Sequence, residues 1–451
     1  MIKKFALALV IAPALLASAH AQTPTRDQLW ALCINADHTH SAAEAIDACT
    51  QIVGSVREAE VNVGIAHFNR ANARMSAGDN VGAADDYTQA LAHHFDQANV
   101  YYGRASARNA LGQFQEAIAD YDAAIAQNAN FVEALNNRGR VYQYGLRDYD
   151  HAIADYTAAL AVRQDAGFFA NRGEAYLQGR QDFANALADF NRAAELAPQD
   201  ADIRIQRGNV YFAQGDFAAA QADYMQALTL HPDYALAFFN LGKAYEAQGD
   251  AEGAIAQWNE ALRVNPAYAD ALGERAKVFY DARRYDEALA DFNAALAIRP
   301  DAIDLNGRGL LYQYGRNDLA HAMADYDQAA ALSPTTGAFN FNACWLRVAA
   351  NRDLETARPY CDAAVSAGGD QPEYFSARGL LNLKQNHDQE AWTDFDAAVR
   401  RAETSAVFLY GRGVAALRLG HAAEGQADIA AATASDATVA AAYQGYGITP
   451  P

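Results

Sequence analysis

Residues 208–232 read GNVYFAQGDFAAAQADYMQALTLHP, and the same pattern returns along most of the chain. Gly208 and Tyr211 belong to a first helical stretch, and Gly215-Asp216-Phe217 interrupts it. Ala220, Tyr224, Ala227 and Leu228 mark a second stretch, and Pro232 closes the unit. Working outward from Ala227, eleven alanines keep this register: Ala90, Ala124, Ala159, Ala193, Ala227, Ala261, Ala295, Ala329, Ala364, Ala398 and Ala432. Neighbours in this series stand 34 residues apart, or 35 in two cases. A fixed period of that length predicts stacked units, each of which buries its apolar face only against its neighbours.

The chain has 451 residues, only 11 of them proline, and little Val/Ile/Thr alternation, so the expected fold class is all-α. Pro198, Pro232, Pro266, Pro300 and Pro334 fall just past the second helix of their units, where proline cannot continue a helix. Small residues recur in the first helix (Ala71, Ala105, Gly139, Gly173, Gly208, Gly242, Ala276, Gly309, Gly379, Gly413). Aromatic residues recur in the second (Tyr87, Tyr121, Tyr156, Phe190, Tyr224, Trp258, Phe292, Tyr326, Phe395) and should fill the space beside them. Three turns carry one extra residue, at 145–148, 179–182 and 315–318.

This pattern resembles the tetratricopeptide repeat, a helix-turn-helix unit of the same length. The resemblance implies an α-solenoid, a right-handed superhelix of stacked helix-turn-helix repeats whose first helices line a concave groove. The expected organisation is a signal peptide at 1–21, a cysteine-containing helical hairpin cap at 22–63, eleven repeats at 64–439 and a tail at 440–451. The leader reads as Lys3 and Lys4, an apolar run from Phe5 to Ala17 and a small-x-small site at Ala19-His20-Ala21. That run is too short to span a bilayer, so the expected mature protein is exported, periplasmic or secreted, with no membrane segment.

One position departs from the family. Before the small residue, where a large apolar side chain is usual, nine units carry arginine: Arg70, Arg104, Arg138, Arg172, Arg207, Arg275, Arg308, Arg378 and Arg412. Sixteen or seventeen residues later the same nine carry Asp86, Asp120, Asp155, Asp189, Asp223, Asp291, Asp325, Asp394 and Asp428. The two units without the arginine, at Leu241 and Cys344, also lack the aspartate and have Gln257 and Tyr360. Residues that come and go together predict a bidentate pair closing each hairpin. Cys33 with Cys49, and Cys344 with Cys361, have the same separation and predict two local disulfides in an exported protein.

The formal charge of -20 disfavours a nucleic-acid partner, whose phosphates need a clustered positive surface. No zinc, nucleophile or phosphate-loop signature appears, so neither a cofactor nor catalysis is expected. Asp37-His38-Thr39-His40 lacks a third metal ligand and reads as a solvated loop. The remaining candidates are groove positions implied by the resemblance: Tyr102, Asn136, Arg140, Glu174, Asn209, Phe239, Lys243, Lys277 and Asn306. Aromatic, amide and charged groups of this kind suit an extended peptide or protein partner. Alternatively the aromatics stack on sugar rings of an envelope polysaccharide, and an enzyme would need a site with no recognised signature.

Overall fold

The computed structural model describes residues 24–56 and 58–451, so the leader expected at 1–21 lies outside the described residues. Twenty-five α-helices and two short π-helical turns, with no strand, make up the described residues. They follow one another as antiparallel hairpins packed on their sequence neighbours, the stacked α-solenoid arrangement expected from the period. Contacts divide the chain into two compact units, one ending at Val210 and one starting at Tyr211, with the division inside helix Ala201–Ala213.

The Gly-Asp turn works as its chemistry requires. Gly78, Gly215 and Gly249 adopt φ of 81°, 81° and 82°, a conformation that costs glycine nothing. The aspartate that follows caps the second helix, with Asp79, Asp216 and Asp250 accepting from the backbone N–H of Gly82, Ala219 and Gly253 at 2.8–3.0 Å. The extra residue at two of the three longer turns is taken up by π-helical turns, Val141–Leu146 and Leu311–Gly315. Arg147, Gln181 and Asn317 take the left-handed position in the three longer turns, so Asp148, Asp182 and Asp318 still cap the next helix.

Between the two helices, aromatic rings sit on small residues. A Cβ at Gly139, Gly242 or Gly309 would come within 2.8, 2.5 or 2.6 Å of Tyr156, Trp258 or Tyr326. The buried tyrosine hydroxyls find acceptors, as when Tyr156 donates to Gln143 at 2.9 Å and Tyr326 to Gln313 at 2.8 Å.

Eight of the nine expected Arg/Asp pairs form within a unit. In each, Nε and Nη2 of the arginine donate to the two carboxylate oxygens at 2.5–3.1 Å. The ninth, Arg207 with Asp223, has one member in each unit and stays an expectation. The arginines also do something that the pairing did not anticipate. Nη1 of all nine reaches back to the second helix of the preceding hairpin, to Thr50, Thr88, Asp122, Thr157, Asn191, Asn259, Asn293, Asp362 or Asp396. Eight of the nine guanidinium groups therefore close their own hairpin and bond it to the one before.

Cys33 faces Cys49 with Cα atoms 4.8 Å apart, and Cys344 faces Cys361 at 5.0 Å, both bridged. The first bridge joins helices Arg26–Ile34 and Ala42–Val53, the expected cap. The second lies in the unit without the Arg/Asp pair, where Arg347 donates to Asp327 of the preceding hairpin at 2.7 Å and keeps the link between units. Residue 64, the expected start of the first repeat, lies in helix Glu60–Ser76, which Ala59 precedes in extended conformation. At the other end helix Val439–Gly445 crosses the assigned boundary at 439. Its Tyr443 donates to the Val407 carbonyl at 2.7 Å and stacks on Tyr410 at 4.8 Å, sealing a core shared with Leu381 and Phe395.

Two outcomes follow for stability. Arg275 and Asp291 expose only 18% and 10% of their side chains, so Arg275→Ala should cost about 3 kcal/mol by stranding the carboxylate. Adding Asp291→Ala should recover part of that loss, with a coupling of about 1–3 kcal/mol in a denaturation cycle; additive losses would refute the pair. Alkylation of unreduced, unfolded protein followed by mass spectrometry should find no free thiol and the two peptide links Cys33–Cys49 and Cys344–Cys361. Four alkylated cysteines would contradict the bridges.

Candidate partner-binding site

The first unit carries five of the nine candidates. Tyr102, on helix Ala98–Ala110, packs its ring 4.9 Å from Phe131, and its hydroxyl accepts from Asn137 at 3.0 Å. Asn136, on helix Val132–Arg140, accepts from Asn171 of the next first helix at 2.9 Å. Arg140 is exposed and makes no ion pair among the described residues. It lines a cavity of about 320 Å³ with Ser106, Asn109, Phe114, Asn137 and Tyr144. Glu174 accepts from Tyr144 at 2.7 Å and from Gln178 at 2.7 Å. Asn209 is exposed on helix Ala201–Ala213.

Tyr144 was not among the candidates. It lies in the π turn that absorbs the extra residue, stands 51% exposed, and its hydroxyl is held above its ordinary range by partial burial and by Glu174. The sequence signal was the extra residue itself, which changes the direction of a side chain at the end of the first helix. A second cavity, of about 590 Å³, runs beside Tyr102 and is lined by Phe68, Tyr87, Asn99, Phe131 and Glu133.

The second unit carries Phe239, Lys243, Lys277 and Asn306. Lys243 places its ammonium 5.7 Å from the Phe212 ring and 5.8 Å from the Phe239 ring, and Phe239 packs 5.1 Å from Tyr268. Lys277 donates to Glu274 at 3.0 Å. Asn306 accepts from Asn342 at 2.7 Å, repeating the amide link of Asn136 and Asn171. A group that sequence reasoning missed lies between these residues. Asp304, in the first turn of helix Ala302–Leu310, is 6% exposed, and among the described residues no donor reaches its carboxylate, whose oxygens keep contact with solvent. Burial, then Asp301, push it up to about 6, against a smaller opposing effect of Lys277. The signal was legible: the same register position holds Ala66, Val100, Ala134, Phe168, Ile203, Ala237 and Ala271 in the preceding units.

Neither cavity nor carboxylate gathers the elements of a reaction. Among the described residues no group of three His, Cys, Asp or Glu is placed to hold a metal ion. In the His38 loop, Asp37 is held by the backbone N–H and hydroxyl of Thr39.

Models of the TPR repeat match residues 105–143 and 208–249, and models of the tetratricopeptide repeat match 141–201 and 248–303. These stretches are tetratricopeptide repeats. Among solved structures, the array is similar to a tetratricopeptide repeat protein from Parabacteroides merdae, at 18% identity over 56% of this chain and 99% of that one, TM-score 0.40. It is also similar to YrrB, a TPR protein described as having an unusual peptide-binding site, at 24% identity over 42% and 97%, TM-score 0.35. The MamA protein matches at 23% identity over 38% and 94%, TM-score 0.35.

Asp304 has a measurable consequence. A carboxyl whose folded pKa is raised from 3.8 to about 6 binds its proton more tightly in the folded state. Stability is therefore lost as pH rises through the interval from about 4 to about 6. Asp304→Asn should stabilise the fold at pH 7.5 by on the order of 2 kcal/mol, seen as a raised melting temperature, with the gain shrinking toward pH 4. Equal melting curves for the two proteins at both pH values would contradict the buried, unpaired carboxylate.

Proposed function

We propose that this chain is an exported, non-catalytic scaffold of the cell envelope that holds a protein or peptide against the first helices of its repeats. Charge bookkeeping carries the proposal. The regular arginines of the repeats are consumed by their Asp and by the preceding hairpin, whereas Arg140 has no ion-pair partner among the described residues and borders a cavity with amide, hydroxyl and aromatic walls. A polypeptide offers the backbone carbonyls and acidic groups that such a wall can hold. Export fits two bridged cysteine pairs and the leader-like residues 1–21. Among the described residues no helix is long and apolar enough to cross a membrane.

The mature chain, immobilised and exposed to envelope extract, should retain a protein partner, and Asn136→Ala with Arg140→Ala should release at least about 90% of it, a tenfold loss of affinity. Retention undiminished by the double variant would move the binding surface away from Arg140. Capture of polysaccharide instead of protein would favour the second reading, in which exposed Tyr144 stacks on sugar rings.

A further inference from the structure

The chain past its last helix turns back over its own repeats. Helix Val439–Gly445 covers the final hairpin, whose first helix is Ala406–Arg418, and a cap needs to reach no further. Residues 446–448 nevertheless meet the first helices of the two preceding hairpins, Gly337–Ala350 and Pro372–Lys384. Tyr446 sets its ring edge-on to Trp345 at 5.7 Å, and its carbonyl accepts from the Lys384 ammonium. Ile448 is 3% exposed within the core that holds Tyr443. Burial, then Tyr314 from the π turn one hairpin earlier still, raise the Tyr446 hydroxyl above its ordinary range.

Neither contact residue is what the repeat itself asks for. Trp345 stands at the position where the ten other repeats carry alanine or glycine, and its ring stacks on Phe341 at 6.2 Å. Lys384 is half-buried, bonded to the side-chain oxygen of Asn351 at 3.1 Å and to the Tyr446 carbonyl, with no ion pair among the described residues. An ammonium that meets only neutral oxygens suits the backbone carbonyls of an extended segment. The segment is also built to leave. A Cβ at Gly445 would touch nothing beyond its own helix and neighbours, and Gly447 takes φ of 78°, so glycine on both sides lets the backbone of Tyr446 swing. Beyond Ile448, Thr449 and Pro451 are exposed.

We propose that residues 446–451 are a displaceable strap, and that Trp345 and Lys384 beneath it recognise an extended segment of a partner polypeptide with the same chemistry: an aromatic, a small and an aliphatic residue in succession. The inference rests on the scaffold reading and adds to it a contact surface that the chain itself holds until the partner arrives. A tethered segment competes at an effective concentration on the order of millimolar. It therefore excludes weak ligands and yields to a partner that gains further contacts along the array.

The test uses a fluorescein-labelled peptide Gln-Gly-Tyr-Gly-Ile-Thr-Pro-Pro, a copy of residues 444–451, read by fluorescence anisotropy. The full chain should bind it at least about tenfold more weakly than either of two vacated forms, a chain ending at Gly445 and the full-length double variant Tyr446→Ala with Ile448→Ala. In that double variant, adding Trp345→Ala or Lys384→Met should weaken the peptide at least about tenfold, and a peptide with alanine in place of its tyrosine should not bind. Equal affinity in the full chain and both vacated forms, or no binding to either vacated form, would overturn the strap. Loss of helical circular dichroism in both vacated forms would make residues 446–451 a fixed part of the fold and overturn it too. So would peptide binding that neither Trp345→Ala nor Lys384→Met weakens. Capture of an envelope partner by the wild type and by the vacated forms alike, with the peptide failing, would sink the strap and leave the scaffold standing. Peptide binding as expected without any captured partner would do the reverse.

Discussion

Most repeats depend on one guanidinium. An arginine on the first helix presents two N–H groups to the aspartate of its own second helix and a third to the preceding hairpin. The planar fork suits this division, because Nε and Nη2 match a carboxylate side-on while Nη1 points away from it. A lysine has no such geometry. The Asp is nearly buried and the arginine mostly so, which makes either one costly without the other. That cost explains why the two residues are present together or absent together. It also removes the most regular charges of the chain from consideration as ligand contacts.

The repeat, its turn, the Arg/Asp pairs and the cysteine partners were legible because each obeys a fixed spacing, and spacing survives without coordinates. The link between hairpins was not read, although its trace is present. Two residues after the aspartate position, the second helices carry Thr88, Asp122, Thr157, Asn191, Asn259, Asn293, Asp362 and Asp396, all short and polar. In front of Leu241, where the arginine is missing, that position is Met225. A variable residue type conceals a constant function, since a hydroxyl, an amide or a carboxylate accepts equally well from Nη1. The extra residues of the longer turns were visible, but their placement in π turns depends on helix hydrogen bonding that spacing does not encode.

The two bridged hairpins show the same requirement met by other chemistry. Where Cys344 and Cys361 replace the Arg/Asp closure, the covalent link ties the two helices, and Arg347 takes over the contact with the preceding hairpin through Asp327. Closing a hairpin and joining it to its neighbour are therefore separable tasks. A single arginine performs both in most repeats, and two residue types perform them here. In the cap, Thr50 beside the bridged Cys49 accepts from Arg70, so the linkage begins at the first hairpin.

Of the candidate residues, those chosen for chemical variety proved to be of two kinds. Asn136 and Asn306 are tied to Asn171 and Asn342 of the next first helix, and Lys277 to Glu274, which makes them partly structural. Among the described residues Arg140 has no such tie, and it borders a cavity. An exposed arginine without a partner costs little and says little by itself. Asp304, which the sequence reading missed, is different: it puts a mostly buried carboxylate where the seven preceding units hold apolar residues. Gly273 compounds the anomaly: alanine would favour the helix, yet it would press on that carboxylate. The two choices fit each other across neighbouring repeats, since the absent side chain of Gly273 is what leaves room for Asp304.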